Sequence, residues 1–77
     1  MPRKLRQLRS ELRRKGWHVV RQTGSHERWC HAEVPGYEFT LAGADGADAK
    51  RYQEDDVRDA DRQLRQARAR RKRGQQP

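Results

Sequence analysis

Trp17-His18-Val19-Val20-Arg21-Gln22-Thr23-Gly24-Ser25-His26-Glu27-Arg28-Trp29-Cys30-His31-Ala32 is the stretch that decides how this chain folds. Its first six residues are β-branched or aromatic at several positions, and Val19-Val20 favours a strand over a continued helix. Thr23-Gly24-Ser25 is a short turn, so the next strand, from about residue 26 to 32, pairs back antiparallel. With Trp29 turned to a core, the two-residue period puts His26, Arg28 and Cys30 together on the opposite face. An ionisable imidazole at the start of a strand then stands beside a cation.

Upstream, Pro2 sits where a first helical turn tolerates it, and Leu5, Leu8 and Leu12 form one apolar stripe on a helix otherwise covered in Arg, Lys and Gln. The spacing predicts a helix over residues 3–15, stopped by Gly16 and with Arg13, Arg14 and Lys15 at its C-terminal end. Downstream, Val34-Pro35-Gly36 is a turn, and Tyr37, Phe39 and Leu41 alternate with Glu38 and Thr40 in a half-buried strand. Residues 42–48, all Ala, Gly and Asp, read as a mobile loop too small and polar to pack. A second helix begins near Tyr52 or Gln53. Glu54, Asp55 and Asp56 suit the positive end of its dipole, and Val57, Ala60, Leu64 and Ala67 form its apolar stripe. Residues 1–67 therefore make a single domain, and 68–77 a basic, disordered tail.

The fold class is α+β in the order α-β-β-β-α. A three-stranded antiparallel sheet carries two helices on one face and leaves the other open to solvent or a ligand. Double-stranded-RNA-binding domains share that layout with other small folds.

Hydrophobic residues make up 31% of the 77 and charged ones 39%. The core must be thin, worth a few kcal/mol at about this length. A formal charge of +8 and an isoelectric point near 10.8 favour a polyanionic partner, most often nucleic acid. Part of the charge is positional: without Arg68, Arg70, Arg71, Lys72 and Arg73 the balance is roughly +3. No helix has the strongly apolar face that binding to an acidic membrane would use. The one cysteine, Cys30, cannot form an internal disulfide, and the three histidines lack metal-site spacing, so no metal or other cofactor is expected. No apolar run is long enough for a signal peptide or membrane span, which predicts a cytoplasmic protein.

Two motifs carry a family resemblance. The first is Lys15-Gly16-Trp17, Val19-Val20-Arg21-Gln22 and Gly24-Ser25-His26, followed by Trp29 and His31. The second is Gly46-Ala47-Asp48-Ala49-Lys50-Arg51-Tyr52-Gln53-Glu54, leading to Val57-Arg58. Together they resemble the HicA-type toxins of bacterial type II toxin–antitoxin systems, also called mRNA interferases, from Leu5 to about Leu64. The chain departs from that pattern at Ala32, where proline is common, and at Arg51, where one branch commonly has histidine. The resemblance implies a double-stranded-RNA-binding-like fold and cleavage of mRNA in which the Gly-Ser-His histidine, His26, is essential. It also implies a HicB-type antitoxin that blocks the site, with operator DNA contacted only through the toxin–antitoxin complex.

RNA cleavage without a metal needs a base for the 2′-hydroxyl proton and a cation for the charge that develops on the phosphoryl oxygens. Histidine, with an ordinary pKa of about 6.5, suits the first task, and arginine clamps phosphate bidentately. His26 and Arg28 would project the same way about 7 Å apart. Lys50, at the loop–helix junction, is a second phosphate contact. Arg21 and Arg51, the cations within the two motifs, complete the substrate-binding candidates. By its chemistry alone His26 reads more often as a polar turn residue than as a catalyst, and the motif match reverses that order. His18 and His31 read as surface or packing residues, and Cys30 as a small thiol more often than a nucleophile beside His31. Tyr52 is open between a helix-start staple and a substrate contact. A non-catalytic RNA-binding module on the same fold is the alternative function, and a partner retained only for complex formation is a third.

Overall fold

The computed structural model describes residues 2–74. Its order is α1 (Leu5–Arg14), β1 (His18–Thr23), β2 (His26–Cys30), β3 (Glu38–Ala42) and α2 (Arg51–Gly74), with the antiparallel sheet ordered β1-β2-β3. This is the expected α-β-β-β-α architecture. Leu5, Leu8 and Leu12 from α1, Trp29, Phe39 and Leu41 from the sheet, and Val57, Ala60 and Leu64 from α2 close one buried core, which Trp17, Val34 and Ala49 from the connections join. Both helices lie on that face. Two ion pairs join them, Arg3 to Glu54 at 3.5 Å and Lys15 to Asp61 at 2.8 Å.

The β1–β2 hairpin closes through two residues, Gly24 and Ser25, with Thr23 paired to His26. Gly24 has φ +60, the glycine-first arrangement of a type II′ turn, whose twist matches that of the strands it joins. Gln22 Nε2 donates to the Gly24 carbonyl at 3.0 Å. The turn thus delivers His26 to the first position of β2.

Three expectations need correction. The 42–48 loop is anchored, not mobile. Its Ala47 and Asp45 carbonyls accept the Leu5 and Arg6 amides at 2.9 and 3.1 Å, and the Ala49 amide donates to the Arg3 carbonyl at 2.7 Å. Backbone carbonyls of a distant loop therefore satisfy donors that a helix start leaves open. Arg9, read as part of the polar coat of α1, is buried instead at 5% exposure. The third concerns the C-terminus, which is helical through Gly74 where a disordered tail from residue 68 was expected. Arg68 reaches Glu33 at 3.1 and 3.2 Å and Arg71 reaches it at 2.8 Å. Alanine and arginine are strong helix formers, so the last turns continue without an apolar stripe once those cations have a partner. Residues 75–77 lie outside the described residues.

Candidate active site

Trp29 is fully buried, and the parity of β2 follows from it. Glu27 and Trp29 face the helices, while His26, Arg28 and Cys30 face the open side of the sheet. His26 is exposed and sits between Thr23 of β1 and Ala42 of β3.

Strict alternation would send Val19 and Arg21 to the same face. A bulge at Val20 prevents that. Val19 pairs with Trp29 on the core side, and the next pair is Arg21 with Arg28, on the open side. The extra residue re-aims Arg21, as bulges do. Two arginines directly opposite one another hold their Cβ atoms about 4.5–5.5 Å apart and repel. Arg28 is partly neutralised, since its Nε donates to Glu38 at 2.8 Å and its Nη1 to the Thr40 hydroxyl at 3.2 Å. No ion pair to Arg21 forms among the described residues. The two guanidiniums, Thr23, Thr40, Glu27 and His26 line a depression of about 110 Å³. An anion placed there relieves the repulsion and gains charge-assisted hydrogen bonds.

His26 also lines a second, larger depression of about 330 Å³, together with Ser25, Asp48, Lys50, Tyr52 and Gln53. Gln53 builds this side of the site. It is buried, its Nε2 donates to the Ala42 carbonyl at 2.7 Å, and its Oε1 accepts the Lys50 amide at 2.8 Å. Ala42 is the strand partner of His26, so Gln53 ties the start of α2 to the strand beside the imidazole. In sequence Gln53 marks only the approximate helix start and part of the second motif, although a glutamine three residues past the residue that caps a helix is a capping signal. Beneath His26, Arg9 donates to Glu27 at 2.7 Å, to Asp45 at 2.6 Å and to the Gly43 carbonyl at 2.6 Å. Burial disfavours its charge, but the hydrogen bonds it donates to the two carboxylates outweigh this and raise its pKa above the ordinary arginine value.

The remaining candidates lie elsewhere. Arg51 lines a separate depression with Pro2, Glu54, Asp55 and Arg58, so Arg21, Arg28 and Lys50 gather around His26 and Arg51 does not. Cys30 stands beside His18, Sγ to Nε2 3.4 Å, and not beside His31. His31 is a packing residue. It is buried against Trp17 with ring centroids 5.2 Å apart, its Nε2 donates to the Lys15 carbonyl at 2.8 Å, and its Nδ1 accepts the Glu33 amide at 3.0 Å. No three His, Cys, Asp or Glu side chains converge as a metal site among the described residues, and no described helix is long and apolar enough to cross a membrane. A larger depression, about 460 Å³, is on the outer side of α1 between Arg3, Arg6, Gln7, Ser10, Glu11 and Arg14. It contains no imidazole, and its one carboxylate is tied to Arg3 at 2.7 Å.

Comparison with curated proteins and with solved structures gives no match. A comparison with protein families does: the family described as HicA toxin of bacterial toxin–antitoxin matches residues 5–68. That span runs from the first residue of α1 through the Gly-Ser-His hairpin, both depressions and most of α2. The chain therefore belongs to the HicA toxin family and is a toxin of a bacterial toxin–antitoxin system.

Proposed function

We propose that this toxin is an endoribonuclease that cuts mRNA, with His26 as general acid–base, and that a HicB-type antitoxin inhibits it by covering the open sheet face. The observation that carries the reading is the opposed Arg21–Arg28 pair beside an exposed histidine. The guanidiniums hold the scissile phosphate. The imidazole accepts the 2′-hydroxyl proton as the 2′-oxygen attacks phosphorus, and returns a proton to the departing 5′-oxygen. A 2′,3′-cyclic phosphate and a 5′-hydroxyl result, and no bound metal takes part in the step. Lys50, across the second depression, takes a flanking phosphate. Positively charged side chains held before substrate arrives stabilise the developing charge without reorganisation.

The test uses purified wild type and His26→Ala on single-stranded RNA in EDTA. Wild type should cut, the all-deoxy analogue should resist for want of a 2′-hydroxyl, and His26→Ala should lose roughly 10²–10⁴-fold in rate. Equal cutting by both proteins removes His26 from the mechanism. Binding without cutting by wild type replaces the enzyme with an RNA-binding module on the same fold.

A further inference from the structure

The aromatic side chains fall into two groups. Trp17, Trp29 and Phe39 are buried in the core, and Tyr37, half-buried, donates its hydroxyl to Asp59 at 2.9 Å. Tyr52 stands apart, 57% exposed. A single exposed aromatic needs no explanation by itself, but this one lines the depression that also holds His26 and Lys50. Its position is fixed as well. It is the second residue of α2, and the helix start is tied through Gln53 to Ala42, the strand partner of His26.

We infer that Tyr52 is a base-stacking platform, which holds one unpaired nucleotide of a single-stranded RNA against His26. The inference rests on the proposed RNA cleavage and adds the substrate class that the site accepts. A nucleobase laid on the phenol ring removes apolar surface of both from water, and Lys50 beside it meets the phosphate of the same nucleotide. Every base has a π-face, so the platform is tolerant of sequence. In a duplex the bases are already stacked on their neighbours, and the ring has nothing to receive. Single-stranded segments and loops are therefore the favoured substrates, with an unstacked base next to the cut.

The experiment measures binding of a 2′-O-methyl single-stranded RNA, which lacks the nucleophile, to wild type, Tyr52→Ala and Tyr52→Phe. The same RNA carrying one abasic position, moved along the strand, is measured in parallel. Tyr52→Ala should bind about 5- to 150-fold more weakly, the equivalent of the ~1–3 kcal/mol of one base–aromatic stack, while Tyr52→Phe keeps the ring and binds within about twofold of wild type. One abasic position should weaken wild type by a similar factor and leave Tyr52→Ala unaffected. Melting temperatures should agree among the three proteins, because the ring is exposed. If wild type cuts RNA while Tyr52→Ala binds as well as wild type, the platform is wrong and the ribonuclease stands. A Tyr52→Phe variant as weak as Tyr52→Ala also overturns stacking, in favour of a hydroxyl contact. Wild type that neither binds nor cuts single-stranded RNA overturns both readings.

Discussion

Replacing Arg9 by methionine should be the most damaging single change outside the apolar core. The Arg9 side chain is 6% exposed, and so is poorly solvated, and Glu27, its partner at 2.7 Å, is 13% exposed. Removing the guanidinium leaves the largely shielded Glu27 carboxylate without a cation, and breaking a buried pair from one side costs about 3–5 kcal/mol. Asp45 is 71% exposed, so water takes over there and the added loss is under ~1 kcal/mol. A chain of this length has a total stability of roughly 4–12 kcal/mol. Arg9→Met should therefore remove roughly a quarter or more of it. Glu27→Gln should cost less, about 1–3 kcal/mol, because Arg9 keeps Asp45 and the Gly43 carbonyl. Arg9→Met combined with Glu27→Leu should recover most of the loss, since an apolar pair in place of a buried ion pair is often neutral. Urea unfolding of the four proteins at constant m-value gives the comparison. An Arg9→Met variant within about 1 kcal/mol of wild type would refute the reasoning, and so would a double variant no more stable than Arg9→Met. The proposed RNA cleavage should fall with stability, because Glu27 adjoins His26 and Gly43 adjoins the strand partner of His26.

Three further outcomes follow from other contacts. Gly16 has φ +96, and an added Cβ would lie 2.7 Å from His31 Nε2, which the Lys15 carbonyl holds in place. Gly16→Ala should cost about 2–4 kcal/mol and lower Tm by at least ~8 °C, and a fall under ~4 °C would contradict it. The hydrogen bond from Arg3, against some opposition from burial and with help from Lys15, holds the Glu11 carboxyl below its ordinary pKa. Its contribution is present above the unfolded value and is lost as pH falls through the folded one. Glu11→Gln should thus be less stable than wild type at neutral pH, and the difference should vanish in acid, as followed by unfolding from pH 7 downward. Burial, and then the Asp59 hydrogen bond, push the Tyr37 phenol up to about 12. The stability this gives is present below the ordinary phenol pKa and is lost as pH rises toward 12. An absorbance titration should show a late-ionising phenol that Tyr37→Phe abolishes.

Much of the fold and part of the site were legible in residue spacing alone. Leu5, Leu8 and Leu12 mark α1, the alternation from Tyr37 to Leu41 marks β3, and Gly24-Ser25 marks the hairpin, because each pattern is set by neighbours two to four residues apart. Trp29 fixed the parity of β2, and with it the face of His26 and Arg28. Contacts between residues distant in sequence were not legible in the same way. The tail became helix because Glu33 meets Arg68 and Arg71, 35 and 38 residues away. Arg9 left the polar coat because Glu27 of β2 and Gly43 and Asp45 of the following loop converge on it from two segments.

The Gly24-Ser25-His26 turn determined that a histidine opens a strand, and Trp29 three residues on put that histidine on the uncovered face of the sheet. That Arg21 and Lys50 join Arg28 beside that histidine was decided only by tertiary structure. The bulge at Val20 turned Arg21 away from the core and opposite Arg28, and a bulge leaves no mark in apolar periodicity because it breaks the very period being read. Gln53 drew Lys50 and Tyr52 toward His26 by a hydrogen bond to Ala42, eleven residues earlier in the chain. Local spacing sets which way a side chain points along its own element. What it meets there depends on how the elements pack, and in this toxin that packing gathers Arg21, Arg28, Lys50 and the Tyr52 ring around His26.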